Sequence, residues 1–178
     1  MSRIRITGGE WRSRLVKVSD KVKSLRPTPD RVRVTLFNWL GQDLSGLACL
    51  DLFAGSGVLG FEAASRGAAL VTLVEEDRDA FAVLRQNAEA LGGEQLQLVR
   101  SDALKFVAST AQRYDLIFLD PPYRQGWIER IEPCLSRLAL PGARIYIEAE
   151  RVIETLGEWR SSKRNQAGQV FYHLMEQA

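Results

Sequence analysis

A carboxylate, two prolines and an aromatic ring, Asp120-Pro121-Pro122-Tyr123, follow the apolar run 114–119. Proline fixes its own φ and has no backbone N–H, so the pair should end a buried strand in a stiff, extended segment. Asp120 and Tyr123 would then be held at a set spacing above the sheet edge. A hydrogen-bond acceptor beside a stacking ring suits a planar base with an exocyclic amine. The alternative is a strand that ends at a proline turn, with an incidental aspartate.

A glycine-rich turn follows another apolar run, 48–53. Gly55, Gly57 and Gly60 match the spacing G-x-G-x-x-G, and Glu75 lies 20 positions after Gly55. This spacing is typical of a dinucleotide site, in which the backbone approaches the ligand at the turn and the acid binds ribose hydroxyls. The same turn and acid would serve any cofactor that contains a nucleoside.

Four acidic residues decide between these cofactors, because they end or follow four successive predicted strands: Asp51, Glu75, Asp102 and Asp120. The carboxyl ends of parallel strands meet at one edge of a sheet, which is where such sheets bind ligands. An acidic edge favours S-adenosylmethionine, a cationic sulfonium compound, over NAD, whose diphosphate would be repelled. Each acid alone could instead cap a helix, and Asp102 is the most plausible cap.

The elements that must position these residues alternate apolar runs with helical periodicity, the pattern of a parallel α/β sheet. Strands are predicted over 48–53, 70–74, 95–100, 114–120 and 143–149. Helices are predicted over 58–66, from Asp77 to before Gly92, over 103–112 and within 127–138, where Pro133 should kink the chain or start a new helix. Residues 158–164 and 170–175 indicate a hairpin, one strand of which should join the sheet antiparallel to the rest. His173 lies in that strand and is predicted to be structural.

Composition indicates a soluble globular protein. Of 178 residues, 46% are hydrophobic and 26% charged, and no run approaches the roughly 18 apolar residues of a membrane span. We therefore expect a cytoplasmic protein without a membrane partner. Cys49 and Cys134 have neither metal-ligand nor redox spacing, so reduced thiols and no metal are expected.

The charge is unevenly distributed along the chain. Residues 1–40 contain ten Lys/Arg and three acidic residues, a net charge of +7, so the remaining 138 residues sum to −5. We predict two parts: a basic extension over 1–40 and a cofactor-binding core over 41–178. In the extension, 4–7 and 15–18 could form a hairpin, and Thr28 could cap a helix with Pro29 in its first turn. The predicted phosphate contacts are Arg3, Arg5, Arg12, Arg14, Lys17, Arg26, Arg31 and Arg33.

These motifs together resemble a known family. The stretch Asp-Leu-Phe-Ala-Gly-Ser-Gly at 51–57, Val74-Glu75 and Asp120–Tyr123 are similar to class I methyltransferases that act on an exocyclic amine. Residues 3–12 and 25–33 resemble the bacterial small-subunit ribosomal RNA guanine-N2 methyltransferases of the RsmD type. The resemblance spans nearly the whole chain. One departure is Val34, where the family pattern leads us to expect glutamate.

The resemblance implies a fold and an activity. The fold would be Rossmann-like, with a mostly parallel seven-stranded sheet, an antiparallel C-terminal hairpin strand and a small basic N-terminal hairpin and helix. The activity would be methyl transfer from S-adenosylmethionine to the 2-amino group of a guanine in 16S rRNA, in an assembling small ribosomal subunit. The enzyme is expected to be a monomer. The DNA alternative, methylation of an adenine 6-amino group, also uses Asp-Pro-Pro-Tyr, but such enzymes usually need more sequence for target recognition.

The resemblance also implies roles for individual residues. Glu75 would hold the ribose hydroxyls and Asp102 the adenine amine, while the glycine turn and Asp51 would border the methionine end. The predicted cofactor set is Asp51, Phe53, Ala54, Gly55, Gly57, Glu75, Asp102 and Ala103. Asp120 and the carbonyl of Pro121 would accept hydrogen bonds from the target amine, and Tyr123 would stack on the flipped base. The predicted catalytic set is Asp120, Pro121, Pro122 and Tyr123.

Overall fold

Strands and helices alternate along the chain from residue 48 to residue 138, as the apolar runs predict. The structure is a computed structural model that describes residues 1–21 and 27–178. The strands are β1 (Ser2–Arg5), β2 (Leu15–Val18), β3 (Ala48–Asp51), β4 (Leu70–Glu75), β5 (Leu96–Arg100), β6 (Tyr114–Leu119), β7 (Ala139–Ala149), β8 (Thr155–Leu156), β9 (Trp159–Ala167) and β10 (Val170–Gln177). The helices are α1 (Asp30–Leu40), α2 (Val58–Ser65), α3 (Arg78–Leu91), α4 (Ala103–Ser109), α5 (Trp127–Ile131) and α6 (Leu135–Leu138).

One sheet organises the molecule, with strand order β5-β4-β3-β6-β7-β10-β9-β8. Strands β3 to β7 are parallel, and β10 lies between β7 and β9 antiparallel to both. The predicted mostly parallel sheet with an antiparallel hairpin strand is confirmed, and the two-residue β8 extends the seven predicted strands. The chain proceeds from β3 outward to β5 and then returns to β6 on the other side of β3. Parallel sheets bind ligands at such a reversal, beyond the carboxyl ends of the two central strands.

Both faces of the sheet are covered, which is why its central strands are almost wholly apolar. Alternate residues of each strand point to opposite faces. Cys49 and Phe118 belong to the cluster under α1, α2 and α3, whereas Leu50 and Ile117 belong to the cluster under α4, α5 and α6. The helices therefore exclude solvent from both faces of the central strands.

The N-terminal segment packs on the core. Strands β1 and β2 form the predicted hairpin, and Ile6, Trp11 and Val16 are buried in the same cluster as α2 and α3. The predicted cap of α1 is wrong by one residue, because the helix begins at Asp30 with Pro29 at the cap position and no side-chain cap. The hydroxyl of Thr28 is directed instead to Glu148, 3.1 Å away.

Proline and histidine behave as their local chemistry predicts. Pro133 lies in a 3₁₀ turn, Glu132–Cys134, which separates α5 from α6. His173 lies within β10, where its Nε2 accepts a hydrogen bond from the Ile153 amide at 2.9 Å.

Within the two described ranges, no helix is long and apolar enough to cross a membrane.

Candidate active site

A cavity of about 1270 Å³ opens at the carboxyl edge of the sheet. Loops after β3, β4, β5 and β6 line it, and so do the N-terminal segment and the β9–β10 turn. Ten of the predicted cofactor and catalytic residues lie on its wall: Asp51, Phe53, Ala54, Gly55, Glu75, Ala103, Asp120, Pro121, Pro122 and Tyr123. The predicted residues are therefore brought to one place, although they are spread over 73 positions of sequence.

The wall of the cavity is strongly acidic. Among the described residues, its acidic side chains are Asp51, Glu75, Glu76, Asp77, Asp120 and Glu150, and Arg124 is its one basic residue. Such a lining attracts a cationic ligand and repels a diphosphate. The charge of the cavity is thus opposite to that of the N-terminal segment.

The glycine turn brings main chain close to both the helix and the cavity. Gly57 has a left-handed conformation with φ of 89°, and an added Cβ would lie 2.4 Å from Leu84 Cδ1. At Gly60, an added Cβ would lie 2.6 Å from Leu73 Cδ2, so this glycine permits close packing of α2 on β4. Gly57 is not on the cavity wall among the described residues, and its contribution is to shape the turn.

Asp51 is tied to the start of α2. Its side chain is almost fully buried and accepts a hydrogen bond from the Gly60 amide at 3.0 Å. Burial raises the pKa of Asp51 to about 7, an effect that the Gly60 hydrogen bond opposes and the charges of Glu75 and Glu148 reinforce. A cationic ligand in the cavity would favour the ionised form.

Glu75 connects the end of β4 to the glycine turn. Its Oε1 accepts a hydrogen bond from the Gly55 amide at 2.9 Å, and its Oε2 accepts one from the Asp77 amide at 2.7 Å. Burial raises the pKa of Glu75 despite these two donors. Each carboxylate oxygen can accept a second hydrogen bond, so the fixed carboxylate remains able to bind a vicinal diol such as ribose.

Asp102 lies beside the cavity rather than on it. Its side chain accepts a hydrogen bond from the Lys105 amide at 3.0 Å and caps α4, which confirms the alternative interpretation of this residue. Among the described residues, its neighbours Ser101 and Ala103 line the cavity but Asp102 does not. Contact of Asp102 with a cofactor stays a prediction.

Asp120 directly follows β6 and lines the cavity together with Asp51. Phe118 pairs with Asp51 across the parallel strands, and Asp120 lies two residues further on. Burial and the neighbouring Glu148 carboxylate raise the pKa of Asp120 well above its usual range, whereas a hydrogen bond with Thr28 opposes the rise. Pro121 is buried, and Tyr123 stands on the rim with 37% of its surface exposed.

Two residues at this site were missed in the sequence, Glu148 and Thr28. Glu148 lies one residue before the end of β7, so the rule that identified the other acids at this edge would have found it. Thr28 lies next to Pro29 and carried no local signal for a role at the cavity.

The predicted phosphate contacts divide into exposed and buried residues. The exposed ones are Arg3, Arg5, Arg12, Arg14, Lys17 and Arg31. Arg33 was predicted to contact phosphate, and this is wrong, because its side chain is fully buried and pairs with Glu62 at 2.7 Å. It lies on the inner side of α1, whereas Val34 on the outer side is 43% exposed. Arg26 lies outside the described residues.

Comparison with known proteins identifies the family. A family model described as conserved hypothetical protein 95 matches residues 4–176. The chain belongs to this family, the RsmD type that its motifs resemble. Among RsmD-type relatives, a protein of Escherichia coli K12 named ribosomal RNA small subunit methyltransferase D is 42% identical, over 97% of this chain and 89% of its own. The protein of that name from Haemophilus influenzae is 38% identical, over 97% of this chain and 93% of its own.

Solved structures agree with the family. A putative methyltransferase, yhhF, from Escherichia coli superimposes with a TM-score of 0.89 at 41% identity and covers 99% of this chain and 98% of its own. An RNA methyltransferase from Salinibacter ruber in complex with S-adenosyl-L-homocysteine has a TM-score of 0.68 at 18% identity, over 85% of this chain and 93% of its own. At that identity the second likeness concerns the fold alone. The predicted RsmD-type family and Rossmann-like class I methyltransferase fold are confirmed.

Proposed function

We propose that this protein transfers a methyl group from S-adenosylmethionine to the exocyclic 2-amino group of a guanine in 16S rRNA. The observation that carries the proposal is that Asp120 and Tyr123 line the same acidic cavity as the glycine turn and Glu75. The names of the relatives, which specify small-subunit ribosomal RNA, support the substrate class. We further propose that the enzyme acts in the cytoplasm as a monomer, on RNA within an assembling subunit.

The residues present fit a nucleoside-containing sulfonium compound. Glu75 presents a carboxylate held by two backbone amides, suited to ribose hydroxyls. The backbone of Ala54 and Gly55 lines the cavity beside it, and Asp51 provides negative charge near the proposed methionine end. When bound, S-adenosylmethionine supplies an electrophilic methyl group. Phe53, Gly57, Asp102 and Ala103 complete the proposed cofactor set.

The proposed catalytic segment orients the target amine. Asp120 and the carbonyl of Pro121 accept its hydrogen bonds, and the two prolines keep these acceptors in place. The amine nitrogen forms its bond to the methyl carbon as the carbon–sulfur bond breaks, and it then releases one proton. An amine on an aromatic base is a weak nucleophile, so positioning supplies most of the rate. Tyr123 at the rim stacks on the base, a contact worth about 1–3 kcal/mol.

The N-terminal segment is the proposed RNA contact. The six exposed basic residues lie on the two strands of the hairpin, in the turn between these strands and at the start of α1. Ile6, Trp11 and Val16 anchor this segment in the core, so its charges are presented on a fixed surface. Because Trp11 is buried and unavailable for stacking, we expect recognition of RNA backbone and shape.

Methyl incorporation from labelled S-adenosylmethionine tests the proposal. We expect label in 16S rRNA or in assembling small subunits, mapped by mass spectrometry to the guanine 2-amino group, and none in duplex DNA. Label on adenine in DNA would overturn it. Asp120→Ala should abolish transfer while calorimetry shows donor affinity within a few-fold of wild type. Glu129→Ala, at an exposed position on α5, is the control with unchanged transfer.

A further inference from the structure

A second carboxyl group lies against Asp120 and has no role in the function proposed above. Glu148 is 5% exposed and, among the described residues, is not on the cavity wall. Both carboxyl groups lie within 3.5 Å of the Thr28 hydroxyl oxygen, and the charge of Glu148 helps to raise the pKa of Asp120. The Tyr146 hydroxyl donates to Glu148 Oε1 at 2.9 Å, and the Thr28 hydroxyl lies 3.1 and 3.2 Å from its two oxygens. The position of Glu148 is thus fixed from two directions.

The hydrogen atoms at this cluster are too few for two ionised carboxylates. The Thr28 hydroxyl has one hydrogen, yet its oxygen also lies 3.5 Å from Asp120 Oδ2. Within residues 1–21 and 27–178, neither Asp120 nor Glu148 forms an ion pair. Glu148 is buried and Asp120 half-buried, both adjoin one hydroxyl, and neither pairs with a cation among the described residues, so the two carboxyl groups retain one proton between them.

We infer that Glu148 is a positioning residue for the methyl transfer, because it shares one proton with Asp120 and thereby controls when Asp120 can accept a hydrogen bond from the target amine. The inference rests on the proposed function. Thr28 acts in the opposite sense, since its single hydroxyl hydrogen, which faces both carboxyl groups, stabilises the ionised form of the pair. Thr28 precedes α1 and follows the basic segment, so the proposed RNA-contact region is directly connected to this carboxyl pair.

Four other ionisable groups influence the carboxyl pair or its neighbours: Asp51, Tyr146, Tyr172 and Arg31. Asp51 on β3 faces Asp120, and its charge adds to that of Glu148 in raising the pKa of Asp120. Tyr146 on β7 and Tyr172 on β10 both adjoin Glu148, and the pKa of each is raised, chiefly by burial. The positive charge of Arg31 on α1 opposes part of the rise in the pKa of Tyr172. Both tyrosines stay neutral in the working range, whereas Asp51 titrates in it. The charge of Glu148 also raises the pKa of Asp51, so Glu148→Gln lowers that pKa together with the pKa of Asp120, and both changes move the acid limb to lower pH.

Two isosteric variants move the pH dependence in opposite directions. We expect Glu148→Gln to shift the acid limb of the single-turnover methylation rate to lower pH, because the like charge is removed. Thr28→Val should shift the same limb to higher pH, because a donor to the carboxyl pair is lost and its ionised form is less stable. The profiles are measured between about pH 5 and 9, where a general base or acceptor of perturbed pKa is detected. Unshifted limbs, or shifts of the same sign in both variants, would overturn the inference.

A second readout does not need RNA or cofactor. Infrared difference titration of the full chain should show a protonated buried carboxyl band in wild type that titrates at lower pH in Glu148→Gln. Failure of wild type to methylate RNA would overturn the proposed function while leaving this band as the test of proton sharing. If one variant proved unfolded by circular dichroism, the other would still decide, since each has a predicted sign of its own.

Discussion

Glu62 is the residue whose replacement tests most directly how the N-terminal segment is held. It is fully buried in α2, and four donors converge on its carboxylate: the Thr7 amide and hydroxyl, Arg33 Nη1 at 2.7 Å and Arg66 Nη1 at 2.8 Å. Arg33 comes from α1 and Thr7 from the turn after β1, so one side chain joins three parts of the chain. We predict that Glu62→Gln strongly lowers the free energy of unfolding.

The size of this loss in unfolding free energy follows from the groups that Glu62→Gln leaves without a partner. Glutamine keeps one acceptor oxygen but places an NH₂ donor among four other donors, and it removes the negative charge that is buried between the guanidinium groups of Arg33 and Arg66. Breaking a buried ion pair in this way costs about 3–5 kcal/mol. Arg33 keeps a second partner in the exposed Asp30, so we expect the lower end of that range, about 3 kcal/mol. For a chain of this size that corresponds to a fall in melting temperature of about 6–12 °C.

Urea unfolding followed by circular dichroism measures this loss. The control is Glu129→Gln, which breaks the exposed pair with Arg151 and should cost about 0–1 kcal/mol. If Glu62→Gln lost no more stability than Glu129→Gln, the buried network would not be what fixes the N-terminal segment. An unchanged free energy of unfolding together with rapid amide exchange in 1–18, which would indicate a detached segment, would also contradict the prediction.

Three further predictions concern the turn, the buried histidine and the basic surface. Gly57→Ala should cost about 2–5 kcal/mol, the sum of a left-handed backbone penalty and overpacking against Leu84, measured by urea unfolding. His173 has its pKa lowered by burial, so the stability of wild type relative to His173→Leu should be constant above about pH 6.5 and fall as the pH drops from there towards the folded-state pKa. Charge reversal of both Arg12 and Arg14 should weaken RNA binding and flatten its salt dependence, by about 1.5 in the slope of log K against log salt.

Each of these has its own control. Gly92→Ala tests the backbone penalty alone, because Gly92 also has positive φ but an added Cβ there meets nothing within 4 Å; equal losses at Gly57 and Gly92 would exclude the packing argument. For His173, a stability difference that does not change with pH would show that burial does not disfavour its charged form. For the basic surface, Arg85→Glu on the exposed side of α3 should leave the slope unchanged, and an unchanged slope in the double variant would remove the hairpin from the RNA contact.

The order of the strands and helices and the sheet edge that carries the candidate site could be predicted from the amino-acid sequence alone. The features that allow this are local: the apolar runs, the proline pair, and the glycines at 57 and 60. They specify strands, helices and turns through periodicity and backbone sterics, and each can be recognised within about ten residues. The rule that parallel strands present their carboxyl ends at one edge then placed Asp51, Glu75 and Asp120 together without any coordinates. Resemblance to class I methyltransferases depended on such short stretches, and resemblance to the RsmD type depended on residues 3–12 and 25–33.

The charged residues that hold the fold together could be distinguished from those that remain for a ligand only once long-range contacts were known. Arg31 and Arg33 are equivalent in a charge count, but one helical position faces solvent and the other faces Glu62, 29 residues away. Thr28 is a favourable helix cap by type, yet its hydroxyl binds Glu148, 120 residues away. Burial decides these pairings, because a buried charge or hydroxyl without a partner costs more free energy than a local conformational preference provides. Long-range pairing of polar groups is therefore the part of this protein that local sequence pattern does not specify.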